Sequence, residues 1–280
     1  MQPELFFVNT ELLVPNLTSD QFDKIRALLY RLCGINLVPG KEGLVKTRLT
    51  KRLRVLGLKS FEGYLKHLEA NPSEITTMVD FLTTNKTSFF REIHHFDYLR
   101  DSFLPPYKEK PCRIRFWSAG CSSGEEAYSV AILFKEEFSD LRRWDIRILA
   151  TDISTRMLQK ARDAVFEEDC LQEVPGLWRQ KYFLCCQNKE PRRYGIRDDI
   201  KAMVRLARLN LMDEWPMRGP FDVIMCRNVM IYFDKPTQEK LVGRFWDLLA
   251  PGGLLLVGHS ESLTTFPHKF HYAQPAVYVK

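Results

Sequence analysis

Residues 113–134 read RIRFWSAGCSSGEEAYSVAILF. Arg113 to Trp117 has the composition of a β-strand. A turn containing Gly120 and Gly124 follows, and then an apolar helix from about Glu125 to Phe138. The alternation recurs downstream. DIRILA (145–150) reads as a second strand with a helix over Ser154–Ala161. FDVIMC (221–226) reads as a third, with a helix from about Pro236 to Leu249, and GLLLVG (253–258) as a fourth. Strands that alternate with helices build an α/β fold: a doubly wound, mostly parallel sheet covered on both faces. Ligands of such sheets sit beyond the carboxyl ends of the strands. Tyr182–Cys186, Tyr194–Ile196 and Ala202–Ala207 look like short strands and are read as a small antiparallel insert, about 180–207.

Upstream of about residue 90 the texture is helical. Thr18-Ser19-Asp20 opens a helix in capping style, and Phe22, Ile25, Leu28, Leu29 and Leu32 recur at helical spacing up to Gly34. Leu44, Leu49, Leu53 and Leu56 mark a second helix closed at Gly57. Ser60–Ala70 and Ser73–Leu82 mark a third and fourth, parted by Asn71-Pro72. The expected organisation is a helical domain over 1–90 and an α/β domain over 91–280.

Composition excludes several classes. The chain has 280 residues, 45% hydrophobic and 27% charged, which is globular rather than disordered or fibrous. No apolar run approaches the roughly 18 residues of a membrane span. With Glu4, Glu11 and no basic start, the N-terminus has no secretory pattern. The seven cysteines are irregularly spaced without a C-x-x-C pair, so neither a disulfide framework nor a zinc site is expected; reduced thiols fit a cytoplasmic protein. The net charge of +6 is concentrated: residues 41–60 hold seven bases and one acid, and the remainder is neutral. One basic patch points to one acidic partner surface. No dimer signature is evident, and a monomer is expected.

Four segments could carry chemistry. In Trp117–Glu126 the glycines permit a tight turn and close ligand approach, while Glu125 and Glu126 occupy the helix start. Two carboxylates there would repel a pyrophosphate but suit a cationic, phosphate-free ligand such as S-adenosylmethionine. The same residues also read as a plain turn with acidic capping. Asp152, ending the second strand, can accept both hydroxyls of a ribose, or can cap the next helix. Arg227 and Asn228 follow the third strand, where a site role explains polar residues better than packing does. Asn210-Leu211 could face an adenine edge. Finally, LTTNKTSFFRE (82–92) sets Asn85, Thr87 and Ser88 beside Phe89-Phe90, either as a site segment or as a capped helix start with a hydrophobic staple. His94-His95 lacks further ligands at helical spacing, and no metal is expected. Gly258-His-Ser-Glu-Ser262 cannot form a hydrolase triad along one strand end. Cys185-Cys186 reads as packing.

These segments together resemble the bacterial chemotaxis receptor methyltransferases, which are protein-glutamate O-methyltransferases. The resemblance rests on TTNKTSFFRE (83–92), WSAGCSSGEEAYS (117–129), ATDIS (150–154), CRNVMIYF (226–233) and GHSES (258–262), in the family's order across both domains. One departure is Ser123-Gly-Glu-Glu-Ala127, where the family has Thr-Gly-Glu-Glu-Pro; the hydroxyl is kept and the first helical turn loosened. Cys121 in the turn is another.

The resemblance implies a class I methyltransferase domain that binds S-adenosylmethionine and releases S-adenosylhomocysteine. It implies that Asn85, Thr87 and Arg91 approach the methionine end and the acceptor. Gly120 lies in the cofactor turn, one of Glu125 and Glu126 holds the amino group, and Asp152 takes the ribose. Asn210, Leu211, Arg227 and Asn228 border the adenosine, and Arg91 and Tyr232 position the receptor glutamate. Arg48, Lys51, Arg52 and Arg54 would dock on the acidic helices of the receptor's cytoplasmic region. A glutamate of pKa about 4.3 is already ionised, so no general base is needed. The alternatives are a methyltransferase for another substrate, such as nucleic acid, and a cofactor-binding adaptor without catalysis.

Overall fold

A computed structural model describes residues 15–110, 112–138 and 140–280. The reading of the N-terminus for a leader falls on residues 1–14, outside the described residues. The chain forms two compact units. One comprises the chain up to Leu28 together with Leu37–Leu82, and the other Leu29–Asn36 with Thr83–Lys280.

The first unit is helical, as its periodicity indicates. α1 (Ser19–Cys33), α2 (Glu42–Leu56), α3 (Phe61–Ala70) and α4 (Glu74–Leu82) follow the four expected segments. Val45, Leu49 and Leu53 recur every four residues along α2 and are fully buried, with Phe61 and Tyr64 of α3 and Met78 of α4. Gly57 closes α2 at φ 69°, where its N–H reaches the Leu53 and Arg54 carbonyls. The Ser60 side chain caps α3 by accepting from the Gly63 N–H.

The second unit carries a seven-stranded sheet and the helices α5 (His94–Tyr98), α6 (Pro105–Glu109), α7 (Glu125–Glu137), α8 (Thr155–Asp163), α9 (Gly176–Tyr182), α10 (Asp198–Lys201) and α11 (Lys235–Leu248). β1 (Arg113–Ala119), β2 (Asp145–Asp152), β3 (Val165–Glu167), β4 (Phe183–Gln187), β5 (Arg193–Ile196), β6 (Val204–Arg208), β7 (Phe221–Cys226), β8 (Leu249–Val257), β9 (His271–Gln274) and β10 (Val277–Val279) occur in that chain order. In space the main sheet runs β6-β2-β1-β7-β8-β10-β9. The first five are parallel and the last two antiparallel. Successive residues of β8 alternate between two cores. Leu254 and Leu256 face the layer that contains α7 (Glu125–Glu137), and Leu255 and Val257 face the layer that contains α11 (Lys235–Leu248). Both faces are thus covered, as expected of near-continuous apolar strands. From β1 the chain winds outward to β2 and β6 on one side and to β7 and β8 on the other. The carboxyl ends of β1 and β7 therefore flank the switch point where such sheets bind ligands.

One part of the sequence reading needs correction. Residues 202–207 do not belong to the insert. From Val204 on they form β6, which pairs in parallel with β2, Val204 opposite Ile148, at the sheet edge. The small antiparallel sheet is β3-β5-β4, so its third strand comes from upstream of the expected insert. β3 has only three residues, too few for a period-2 signal to register. The packing reading of Cys185 and Cys186 also fails, since both side chains are exposed on β4. Among the described residues no helix is long and apolar enough to cross a membrane.

Candidate active site

The turn after β1 folds back on the end of β2. The Gly120 and Cys121 N–H groups donate to the Thr151 carbonyl, and the Ser122 N–H donates to Asp152 Oδ2 at 2.8 Å. Gly120 and Gly124 lie at φ 93° and 96°, which favours glycine. Protein atoms crowd both positions. A Cβ at Gly120 would meet Val229 Cγ2 at 2.4 Å, and one at Gly124 would meet Tyr128 at 2.9 Å and Ala161 at 3.0 Å. Their glycine requirement therefore comes from the turn and its packing.

Asp152 closes β2 nearly buried. Its second oxygen accepts from the Ser154 N–H at 2.8 Å. The cap of α8 (Thr155–Asp163) is Ser154, which accepts from Met157 N–H, so Asp152 is not the helix cap. Two peptide donors fix the direction of this carboxylate.

Glu125 and Glu126 are adjacent and both buried, yet they face different partners. Glu126 accepts from Ser118 Oγ at 2.6 Å and from Arg227 Nε at 2.8 Å. Glu125 accepts from Ser123 Oγ, at 2.8–2.9 Å, and no cation lies within ion-pair distance among the described residues. Burial pushes its carboxyl above the usual carboxylate range. A buried acid without a cation is the complement of an ammonium group, so the donor set fits S-adenosylmethionine.

Residues 83–92 form an irregular loop rather than a capped helix start. Its aromatics anchor it. Phe89 meets the rings of Phe166 and Phe183 edge-on, at 4.9 and 5.1 Å between centroids, and the Phe90 N–H donates to Ser129 Oγ. The polar residues lie along the top. Asn85 donates to Thr83 Oγ1 and accepts at its carbonyl from Ser122 Oγ; Arg91 Nη1 donates to the Lys86 carbonyl; Thr87 is half-buried.

Arg227 is nearly buried at the end of β7. Besides Glu126 it donates to the Arg91 carbonyl, and its Nη1 lies 3.2 Å from His95 Nδ1 and 3.4 Å from Glu92 Oε2. Glu92, His94 and His95 bring ligand atoms within 4.8 Å of one another, and His259 lies against His94. The guanidinium of Arg227 supplies the positive charge beside this group. Burial, then Arg227, lowers His95 to about 2, so it is neutral at physiological pH.

Asn228 adopts φ 58°, and its side chain points toward Glu92 Oε1 at 3.5 Å. Tyr232 is half-buried. Its carbonyl accepts from the Asn36 N–H at 2.8 Å, while its hydroxyl has no hydrogen bond among the described residues. Asn210 is spent on the protein, donating to the Leu32 carbonyl and Asp213 Oδ1 and accepting from Met212 N–H. Leu211 packs in the α11-side core.

Of the four bases expected to dock a partner, two are internal ties. Arg52 grips Glu74 with two bonds of 2.8 and 2.6 Å, and Arg48 donates to the Leu82 carbonyl. Lys51 and Arg54 are exposed. Sequence reasoning passed over Ser122 and Glu261. Glu261 accepts peptide N–H groups around the β7 turn. Its signal was the GHSES motif (258–262), part of the resemblance but without a role for its acid.

Family models match both parts of the chain: "CheR methyltransferase, all-alpha domain" over residues 20–83 and "CheR methyltransferase, SAM binding domain" over 85–279. The chain belongs to the CheR methyltransferase family. It is 39% identical to a chemotaxis protein methyltransferase of Borreliella burgdorferi, covering 95% of each chain. It is 39% identical to one from Klebsiella aerogenes, over 94% of this chain and 90% of that one. For the Escherichia coli enzyme the figures are 38%, 99% and 96%. This CheR-family chain is therefore an S-adenosylmethionine-dependent methyltransferase of chemotaxis, with the all-α and cofactor-binding parts that its sequence led one to expect.

Proposed function

We propose that the enzyme methylates glutamate side chains on the cytoplasmic helical region of chemoreceptors, forming glutamate methyl esters. One observation carries this reading: among the described residues, fixed carboxylates, Arg91 and Tyr232 lie around the carboxyl ends of the central strands without an activated nucleophile. Burial pushes the Cys121 and Cys226 thiols well above their usual range, and His95 is neutral. An acceptor that is already ionised needs no base and no covalent relay. Carboxylate oxygen is a weak nucleophile, so the protein's work is alignment and exclusion of water.

The cofactor supplies an electrophilic methyl group on a sulfonium. Asp152 holds its ribose, Glu125 its amino group, and Asn85 and Thr87 border its methionine end. Gly120, Asn210, Leu211, Arg227 and Asn228 shape the pocket, with Glu126 neutralised by Arg227. Arg91 holds one acceptor oxygen and Tyr232 orients the other. The helical domain, up to about residue 90, carries receptor docking, and its exposed Lys51 and Arg54 meet acidic receptor helices.

Incubation with tritiated S-adenosylmethionine and receptor-containing membranes tests the reading. Base-labile methyl esters on receptor are expected. Base-stable label on another macromolecule would replace the substrate, and absence of transfer despite cofactor binding would make the protein an adaptor.

A further inference from the structure

We propose that Glu261 is a positioning residue for methyl transfer, its carboxylate shaping the turn after β7 that presents Asn228 and Tyr232. The inference rests on the reading above for the role of that turn. Glu261 Oε2 accepts from the Gly258 N–H at 2.6 Å and from the Asn228 N–H at 2.8 Å. Oε1 accepts from the Ile231 N–H at 3.1 Å. One nearly buried side chain thus gathers peptide donors from both the β8 exit and the β7 exit. A carboxylate is acceptor-only and suits a ring of donors.

Three features tie this carboxylate to the shape of the turn. Asn228 lies at φ 58°, a left-handed conformation that a non-glycine residue keeps only when its surroundings hold it there. The carboxylate holds its N–H. Gly258 leaves room for the arrangement, since a Cβ there would meet Asn228 Nδ2 at 2.5 Å and Glu261 Oε2 at 2.8 Å. Gln238 Nε2 donates to the Met230 and Phe233 carbonyls, and a cleft of about 130 Å³ lined by Met230, Ile231, Glu261 and Phe266 adjoins the turn, so the peptide N–H groups of its first half rest on Glu261. Glu261 thus holds Asn228 and Ile231, the latter directly before Tyr232, and helps set where Tyr232 stands relative to the acceptor.

Glu261→Gln is not conservative here, because its amide nitrogen must face a peptide donor at one of the two oxygen positions. The full-length protein is assayed as Glu261→Gln and as Glu261→Asp, which keeps the charge but shortens the reach. The expected result is a loss of kcat of roughly tenfold or more, as misplacement of a reacting group brings. S-adenosylhomocysteine affinity, to which Asn228 contributes, should fall by a clearly smaller factor than kcat. Hydrogen exchange should rise in peptides spanning 228–232 and stay unchanged in the middle of β7 and β8. Exchange at 228–232 equal to the parent protein would overturn the proposal, as would a kcat loss matched by an equal loss of cofactor affinity. If Glu261→Gln does not fold, the same readings on Glu261→Asp decide. Exchange needs no substrate, so a parent enzyme without receptor methylation would refute the functional reading while this measurement still judges Glu261.

Discussion

At the scale of single residues, the two carboxylates at the start of α7 were alike in sequence and differ in space. Consecutive helical positions point about 100° apart. Which one meets a cation was decided by Arg227, 101 residues away from Glu126. Glu125→Gln should therefore weaken S-adenosylhomocysteine binding at least about tenfold. The pH dependence follows from its raised pKa in the free protein. A bound ammonium favours the ionised form, so binding releases a proton below that pKa. Affinity should be constant above the raised value and fall on acidification through it; a calorimetric pH series on the parent and on Glu125→Gln, where this component vanishes, checks it. Arg91 stands apart. Among the described residues its guanidinium hydrogen-bonds only to the Lys86 carbonyl. Arg91→Ala should lower transfer roughly a hundredfold with little change in cofactor affinity. Normal turnover in that variant would remove it from the acceptor site.

At the scale of elements, the basic run of α2 shows how a charge pattern divides once the helix is packed. Helical spacing put Arg48, Lys51 and Arg52 on one side, but neighbouring α4 turns Arg52 inward to Glu74 and Arg48 to the Leu82 carbonyl. Burial opposes ionisation of Glu74, yet Arg52 outweighs it and holds the carboxyl below its usual range. The pair's contribution is complete above the unfolded value of about 4.5 and drains away as pH falls through the lower folded value. Arg52→Ala should cost about 2–3 kcal/mol, from an ionised buried acceptor left unpaired. Urea melts at pH 7 and near pH 3 check this, the difference between variant and parent shrinking in acid. Reversing Lys51 and Arg54 should leave stability unchanged and raise the receptor KM, more strongly at low salt. An unchanged KM would move the docking surface elsewhere. The misassigned 202–207 segment belongs at this scale too. A short strand of mixed polarity does not announce whether its partner is parallel or antiparallel; that depends on whether β2 or the insert offers the free edge.

At the scale of the whole α/β unit, Arg227 joins pieces of chain that are far apart. It binds Glu126 on α7, the Arg91 carbonyl, Glu92 and His95, all around the carboxyl end of the sheet. Two acids and one base bury nearly together, and removing the base leaves both acids unpaired. Arg227→Ala should destabilise the unit by about 3–5 kcal/mol. Glu126→Gln combined with Arg227→Met should recover part of that loss, which a double-mutant cycle in urea measures. Full additivity of the two changes would show that the pair is not coupled.

The sequence by itself determined the classes of structure: four helices from apolar periodicity, caps and the Asn71-Pro72 turn, four parallel strands from apolar runs between helices, and the family from five motifs in order. Periodicity and composition are local, and burial of an apolar face is the dominant force, so these features were legible. Only the tertiary structure decided partners: Glu126 with Arg227, Arg52 with Glu74, β6 with β2, and Glu261 with the peptide groups of a distant turn. A hydrogen bond or ion pair depends on which atoms arrive within 3 Å of each other, and that is set by packing between segments many residues apart.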